Sequence, residues 1–129
     1  MGSLQNSRAP LSMLIVEDDK LTLDILARVI ARKFPAATIN VAENGKIGLE
    51  FFKEHVPDIV ITDINMPEMD GIQMAREIKA IKADTKFIVL TAYSNKSYLM
   101  QFREIGCCAY LMKPIDFGKL CDAIENCII

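Results

Sequence analysis

Three acids stand in a row at Glu17-Asp18-Asp19, directly after the apolar run MLIV (13–16), and a fourth, Asp63, follows the run DIVIT (58–62). Two further apolar runs end on other polar groups. KFIVL (86–90) is followed by Thr91-Ala92, and CAYLM (108–112) by Lys113-Pro114. If these runs are neighbouring strands, up to four carboxylates converge on one crevice with a hydroxyl and an ammonium beside them. Carboxylates about 4 Å apart repel by about 4 kcal/mol at an effective dielectric of about 20, so the cluster must take up a proton or a cation. An all-oxygen site of one or two direct carboxylates plus waters suits Mg2+. A metal alone has no use for Thr91 and Lys113. A phosphoryl group does, because its oxygens call for a metal, a hydroxyl or amide donor, and a cation. The nucleophile is then the carboxylate that stands alone on its strand, Asp63, attacking phosphorus to form an acyl phosphate.

The elements that must position these groups alternate along the chain. Strands are predicted at 13–16, 38–42, 58–62, 86–90 and 108–112. Helices are predicted between and after them, at 19–34, 44–55, 70–82, 94–106 and 116–128. The first helix carries its apolar spacing at Leu21, Ile25, Leu26, Val29 and Ile30, and Pro35 ends it. Asn44 fits as an N-cap, and Gly106 as a C-cap. Asp70-Gly71 opens the third helix, and Pro67 stops the chain after Asp63 from continuing as strand or helix. Strands one, three, four and five read as continuous apolar runs, the pattern of a parallel sheet covered on both faces. The fold class is α/β: a single doubly wound (βα)5 domain with right-handed crossovers. It occupies 12–129, and the polar stretch 1–11 reads as a leader.

The totals agree with one globular domain. The chain has 129 residues, 51% hydrophobic and 25% charged, with a net charge of −2. No basic surplus points to nucleic acid or to a membrane surface. No apolar run reaches the roughly 18 residues of a membrane span, and the start lacks a signal-peptide layout. The four cysteines, Cys107, Cys108, Cys121 and Cys127, form no CxxC pattern. With His55 the only histidine, a zinc site is disfavoured. The cysteines read as reduced, small apolar residues of a cytoplasmic protein, and His55 as a surface residue.

Together LIVEDD, VITDINMPEMDG, VLTAY and AYLMKPID resemble the receiver domain of two-component response regulators, across residues 12–128. The resemblance implies a flavodoxin-like sheet of order 2-1-3-4-5. It implies that Asp63 is the phosphoacceptor, taking a phosphoryl group from a phosphohistidine on a sensor histidine kinase or a histidine phosphotransfer protein. Asp18 and Asp63 would bind Mg2+ (with Mn2+ as a substitute) by their side chains, Glu17 through a bound water, and Asn65 by its backbone carbonyl. Lys113 would pair with the phosphoryl group and Thr91 would donate its hydroxyl to it. The Lys113-Pro114 bond would be cis. Tyr110 matches an aromatic switch position that turns inward with Thr91, remodelling the face of the fourth helix, fifth strand and fifth helix to control an output domain or partner. That face also suggests a homodimer. Tyr93 lies at a position that varies in the family. The abrupt apolar close NCII suggests a receiver drawn from a larger regulator or hybrid kinase, with a stand-alone protein as the alternative.

Simpler readings stand beside these. Asp19 reads best as an N-cap only; Tyr110 has a static alternative in the core, and Asn65 one as a loop cap. DFG at 116–118 echoes a kinase metal motif in a chain too short for a kinase. DINMPEMDG starts like a calcium loop but has Pro67, Glu68 and Met74 where its ligands and glycine belong. Against a regulatory phosphoacceptor that turns over no separate substrate stands an enzyme, a haloacid-dehalogenase-like aspartyl phosphatase. That family wants its paired aspartates near the first strand, whereas here Asp63 is on the third and Asn65 takes the second position. A phosphorylation-independent module of the same fold would lack part of the acidic set.

Overall fold

The computed structural model describes residues 11–66, 68–92 and 96–128, with only the backbone described at 96 and 107. The stretch 1–10, Pro67, Tyr93 and the expected start of the fourth helix at Ser94 lie outside the described residues. Strands and helices alternate: β1 (Ser12–Val16), α1 (Lys20–Lys33), β2 (Thr38–Ala42), α2 (Gly45–His55), β3 (Ile59–Asp63), α3 (Gly71–Ile81), β4 (Lys86–Thr91), α4 (Lys96–Ile105), β5 (Cys107–Met112) and α5 (Phe117–Ile128). The strands form one parallel sheet in the order β2-β1-β3-β4-β5. This is the flavodoxin-like arrangement the resemblance implies.

Four helix starts are fixed locally by side-chain oxygens that accept from the backbone N–H three residues on. Asp19 accepts from Thr22 at 3.1 Å and Asn44 from Ile47 at 2.8 Å. Asp70 accepts from Gln73 at 2.8 Å and Asp116 from Lys119 at 3.1 Å. Asp19 is therefore the N-cap of α1, as the simpler reading held. At the other end of α4, Gly106 has φ +103°, a left-handed turn that suits glycine, and its N–H bonds the Phe102 carbonyl.

The helices cover both faces of the sheet. On one face Leu14, Val60 and Val89 pack with Phe52, Met74 and Phe102. On the other, Ile15, Ile61 and Leu90 pack with Leu26, Ile30 and Ile124. Each such side chain, wholly removed from water, contributes about 1.5–3 kcal/mol. α1 turns differently from its expected face. Leu21 and Ile25 are exposed, while Leu23, Leu26 and Ile30 are buried. The stripe Leu23, Leu26, Ala27, Ile30 follows i, i+3, i+4, i+7 without a gap, and that unbroken stripe faces the sheet over β1 and β2, leaving Leu21 on the outer flank.

The two edge strands are less regular. β2 is half exposed, with Val41 open to solvent. β5 starts one residue earlier than expected and carries a bulge. Phe87 pairs with Cys107 and Ile88 with Ala109, which leaves Cys108 without a partner in the ladder. Leu11, expected in the leader, packs against the core, and its carbonyl accepts from Thr38 N at 2.8 Å. His55 is exposed and stacks on Phe51 at 4.3 Å. Among the described residues no helix is long and apolar enough to cross a membrane.

Candidate functional site

All the sequence-selected side chains except Tyr110 sit at or just beyond the carboxyl end of a strand, the position where open parallel sheets place their ligands. At the tip of β1, Glu17 is held by its N–H to the Ala42 carbonyl at 3.1 Å and is almost wholly buried. One of its carboxylate oxygens accepts from the Asp19 N–H at 3.2 Å and the other from Lys113 Nζ at 2.8 Å. Asp18, next to it, is exposed. At the tip of β3, Asp63 is 7% exposed. Its Oδ1 accepts from the Ile64 N–H at 2.7 Å and its Oδ2 from Lys113 Nζ at 3.1 Å. Carboxylate oxygens of Glu17, Asp18 and Asp63 lie within 4.8 Å of one another.

Lys113 follows β5. Its N–H donates to the Thr91 carbonyl at 2.7 Å, joining the ends of β4 and β5, and its bond to Pro114 is cis. Thr91, the last residue of β4, is fully buried. Asn65 lies exposed in the loop two residues beyond Asp63. Tyr110 is half buried in β5 opposite Val89, packed against the core on the side of α2, α3 and α4. Thus the fold gathers Glu17, Asp18, Asp63 and Lys113 in one pocket. It puts Thr91 and Asn65 on the adjoining strand end and loop, and Tyr110 further back along β5.

Two residues that sequence reasoning passed over fix Asp63. The Thr62 hydroxyl donates to the Asp63 carbonyl at 2.8 Å from a fully buried position. The Gly71 N–H bonds the Ile64 carbonyl at 2.9 Å, and a Cβ on Gly71 would lie 2.3 Å from the Asp63 carbonyl oxygen. Only glycine allows that approach. Asp70-Gly71 signals a helix start in the sequence, but nothing local reveals that the loop folds back against its own aspartate.

Burial raises the pKa of Glu17 despite the opposing hydrogen bonds from Lys113 and Asp19 N–H, and the Asp63 charge pushes it further up. Burial alone would lower Lys113, but its hydrogen bonds to Glu17 and Asp63 outweigh that and lift it above the usual lysine value. The Thr22 hydroxyl and N–H lower Asp19. Three carboxylates against one ammonium (−3 + 1) leave two formal negative charges when all are ionised. An oxygen-only donor set with that deficit fits a hard divalent cation.

The sequence matches the family described as response regulator receiver domain over residues 13–125. It is 33% identical over 113 residues to the chemotaxis protein CheY of Bacillus subtilis, covering 88% of this chain and 94% of that protein. It is 37% identical over 120 residues to the transcriptional regulatory protein PdtaR of Mycobacterium tuberculosis, covering 93% of this chain but only 58% of that regulator. Among solved structures, the N-terminal domain of a protein from Wolinella succinogenes superposes with a TM-score of 0.84 at 38% identity, covering 91% of this chain and 93% of that one.

Proposed function

This chain belongs to the response regulator receiver family, and from that premise we propose that it is a phosphoacceptor switch whose acceptor is Asp63. The observation that carries the proposal is the position of Lys113 Nζ, 2.8 Å from Glu17 and 3.1 Å from Asp63. An ammonium there neutralises the acceptor's surroundings and can follow the charge onto a phosphoryl group bound to Asp63.

In this reading Asp63 Oδ2 is the attacking oxygen, because it faces the Lys113 ammonium that would follow the charge onto the phosphoryl group, while Oδ1 is tied to the backbone N–H of Ile64. Thr62 and Gly71 hold the backbone behind it, which orients the attack. Glu17, Asp18 and Asp63, with the Asn65 carbonyl, would hold Mg2+ or Mn2+, which supplies charge neutralisation to the phosphoryl oxygens when bound. The Thr91 hydroxyl would serve as donor to a phosphoryl oxygen, and Tyr110 would follow Thr91 inward. The phosphodonor is a phosphohistidine of a sensor histidine kinase or a phosphotransfer protein. The readout is a shift of the α4, β5 and α5 face, a redistribution between two states that biases an output domain or partner. The domain catalyses only its own phosphorylation and dephosphorylation.

The test is intact-mass spectrometry after incubation with acetyl phosphate and Mg2+. The expected result is one phosphoryl group per chain, absent in Asp63→Asn and strongly reduced without the metal. A label that persists unchanged in Asp63→Asn rejects Asp63 as the acceptor. Continuous turnover of a phosphomonoester would instead favour the phosphatase.

A further inference from the structure

A cavity of about 410 Å³ runs between the edge strand β5 and α5, away from the acidic pocket. Two cysteines line it: Cys108 from the start of β5 and Cys127 from the last turn of α5, together with Ala109, Leu111, Asp122 and Asn126. Cys108 is exposed and Cys127 is buried. Regular strand alternation would send Cys108 to the Tyr110 side of the sheet, opposite Ala109 and Leu111. The bulge at Cys107-Cys108 breaks that alternation. Cys108 therefore shares a cavity with Ala109 and Leu111, facing the end of α5. Antiparallel packing of α5 on β5 brings the end of the helix back to the start of the strand.

We propose that Cys108 and Cys127 form an oxidisable thiol pair, which a peroxide converts to an intramolecular disulfide tying the end of α5 to the start of β5. This is independent of the phosphoryl reading. The Cys108 thiolate attacks one oxygen of hydrogen peroxide; the O–O bond breaks, hydroxide leaves and is protonated to water, and Cys108 becomes a sulfenic acid. The Cys127 sulfur then attacks the Cys108 sulfur. An S–S bond forms, the S–O bond breaks, and the hydroxyl leaves with the Cys127 proton as a second water. Two thiols lose two electrons and one peroxide is reduced to two waters. The exposed member meets the oxidant and the buried member resolves it. Cys121, a third thiol, lines a different groove against α1, and burial pushes it above the usual thiol value, so it is a poor competitor.

The experiment treats the whole native chain with hydrogen peroxide, alkylates remaining thiols, and maps peptides without reduction. The expected result is a mass loss of two hydrogens, a Cys108–Cys127 cross-linked peptide, and reversal of both by dithiothreitol. Cys108→Ser, at an exposed position, removes the link while circular dichroism stays unchanged; Cys127→Ala removes it as well. A link through Cys107 or Cys121 overturns the proposal. So does a disulfide between two chains, or overoxidised Cys108 with Cys127 still open to alkylation.

Discussion

β3 and β5 each bring one charged group to the same pocket, and they are built differently. β3 is buried at all of its residues and pairs on both sides, with β1 and with β4. β5 pairs only with β4, carries a bulge, and exposes Met112. Asp63 thus inherits a backbone fixed from two directions and braced by Thr62 and Gly71. Lys113 is placed by one backbone bond to Thr91 and by the two carboxylates its ammonium touches. By burial and pairing, β3 is expected to be the more rigid of the two and β5 the more compliant. In the proposed reaction, the group that would stay in line sits on the first, and the group that would follow a moving charge sits on the second.

The strongest way to break this comparison is to weaken the central strand. Ile61→Ala, fully buried in β3, is expected to cost about 4 kcal/mol in urea unfolding; a loss below about 1 kcal/mol would show that β3 is not the rigid member. Next comes the edge group itself. Lys113→Met leaves buried Glu17 and Asp63 without their cation and is expected to cost about 2–3 kcal/mol near neutral pH. The pH dependence has a defined sign. Lys113 is raised above its ordinary 10.5 in the fold, so its contribution is complete below that value and fades as pH rises through the folded pKa. The stability difference between wild type and Lys113→Met, followed by denaturant titration from neutral to alkaline pH, should therefore shrink at the alkaline end. A constant difference would place the ammonium's stabilisation elsewhere.

A smaller effect sharpens the role of the shared pocket. Mg2+ at ten times its dissociation constant is expected to add about 1.4 kcal/mol of stability. Most of that gain should vanish in Asp18→Asn, as read by thermal melts with and without the ion; an undiminished gain would remove Asp18 from the ligand set. The smallest effect closes the comparison. Met112→Ala on β5, 45% exposed, should change stability by less than about 0.5 kcal/mol. A cost matching that of Ile61→Ala would erase the distinction between the strands.

What could be read from the sequence was local or periodic. Strand runs such as MLIV and KFIVL and the caps Asp19 and Asn44 declare themselves within a few residues, because burial on two faces and a bond to an N–H three positions on are short-range requirements. The acids and Lys113 stand out because each follows an apolar run. The inward face of α1 is not legible locally, because Leu21 and Ile25 are as apolar as Leu23, and only the neighbouring strands decide which of them meets the sheet. The bulge at Cys108 depends on β4. The contact of Gly71 with the Asp63 carbonyl depends on how a loop closes. The ammonium's simultaneous hold on Glu17 and Asp63 joins residues 17, 63 and 113, a convergence that spacing alone does not measure.

The all-parallel sheet also governs how the chain comes together. No pair of strands can close as a hairpin, since each ladder waits for an intervening helix. β1, buried from Met13 to Val16, needs β2 on one side and β3 on the other. A nascent chain leaving the ribosome therefore carries an uncovered apolar first strand until residue 63 has emerged, the interval in which a holding chaperone has most to gain.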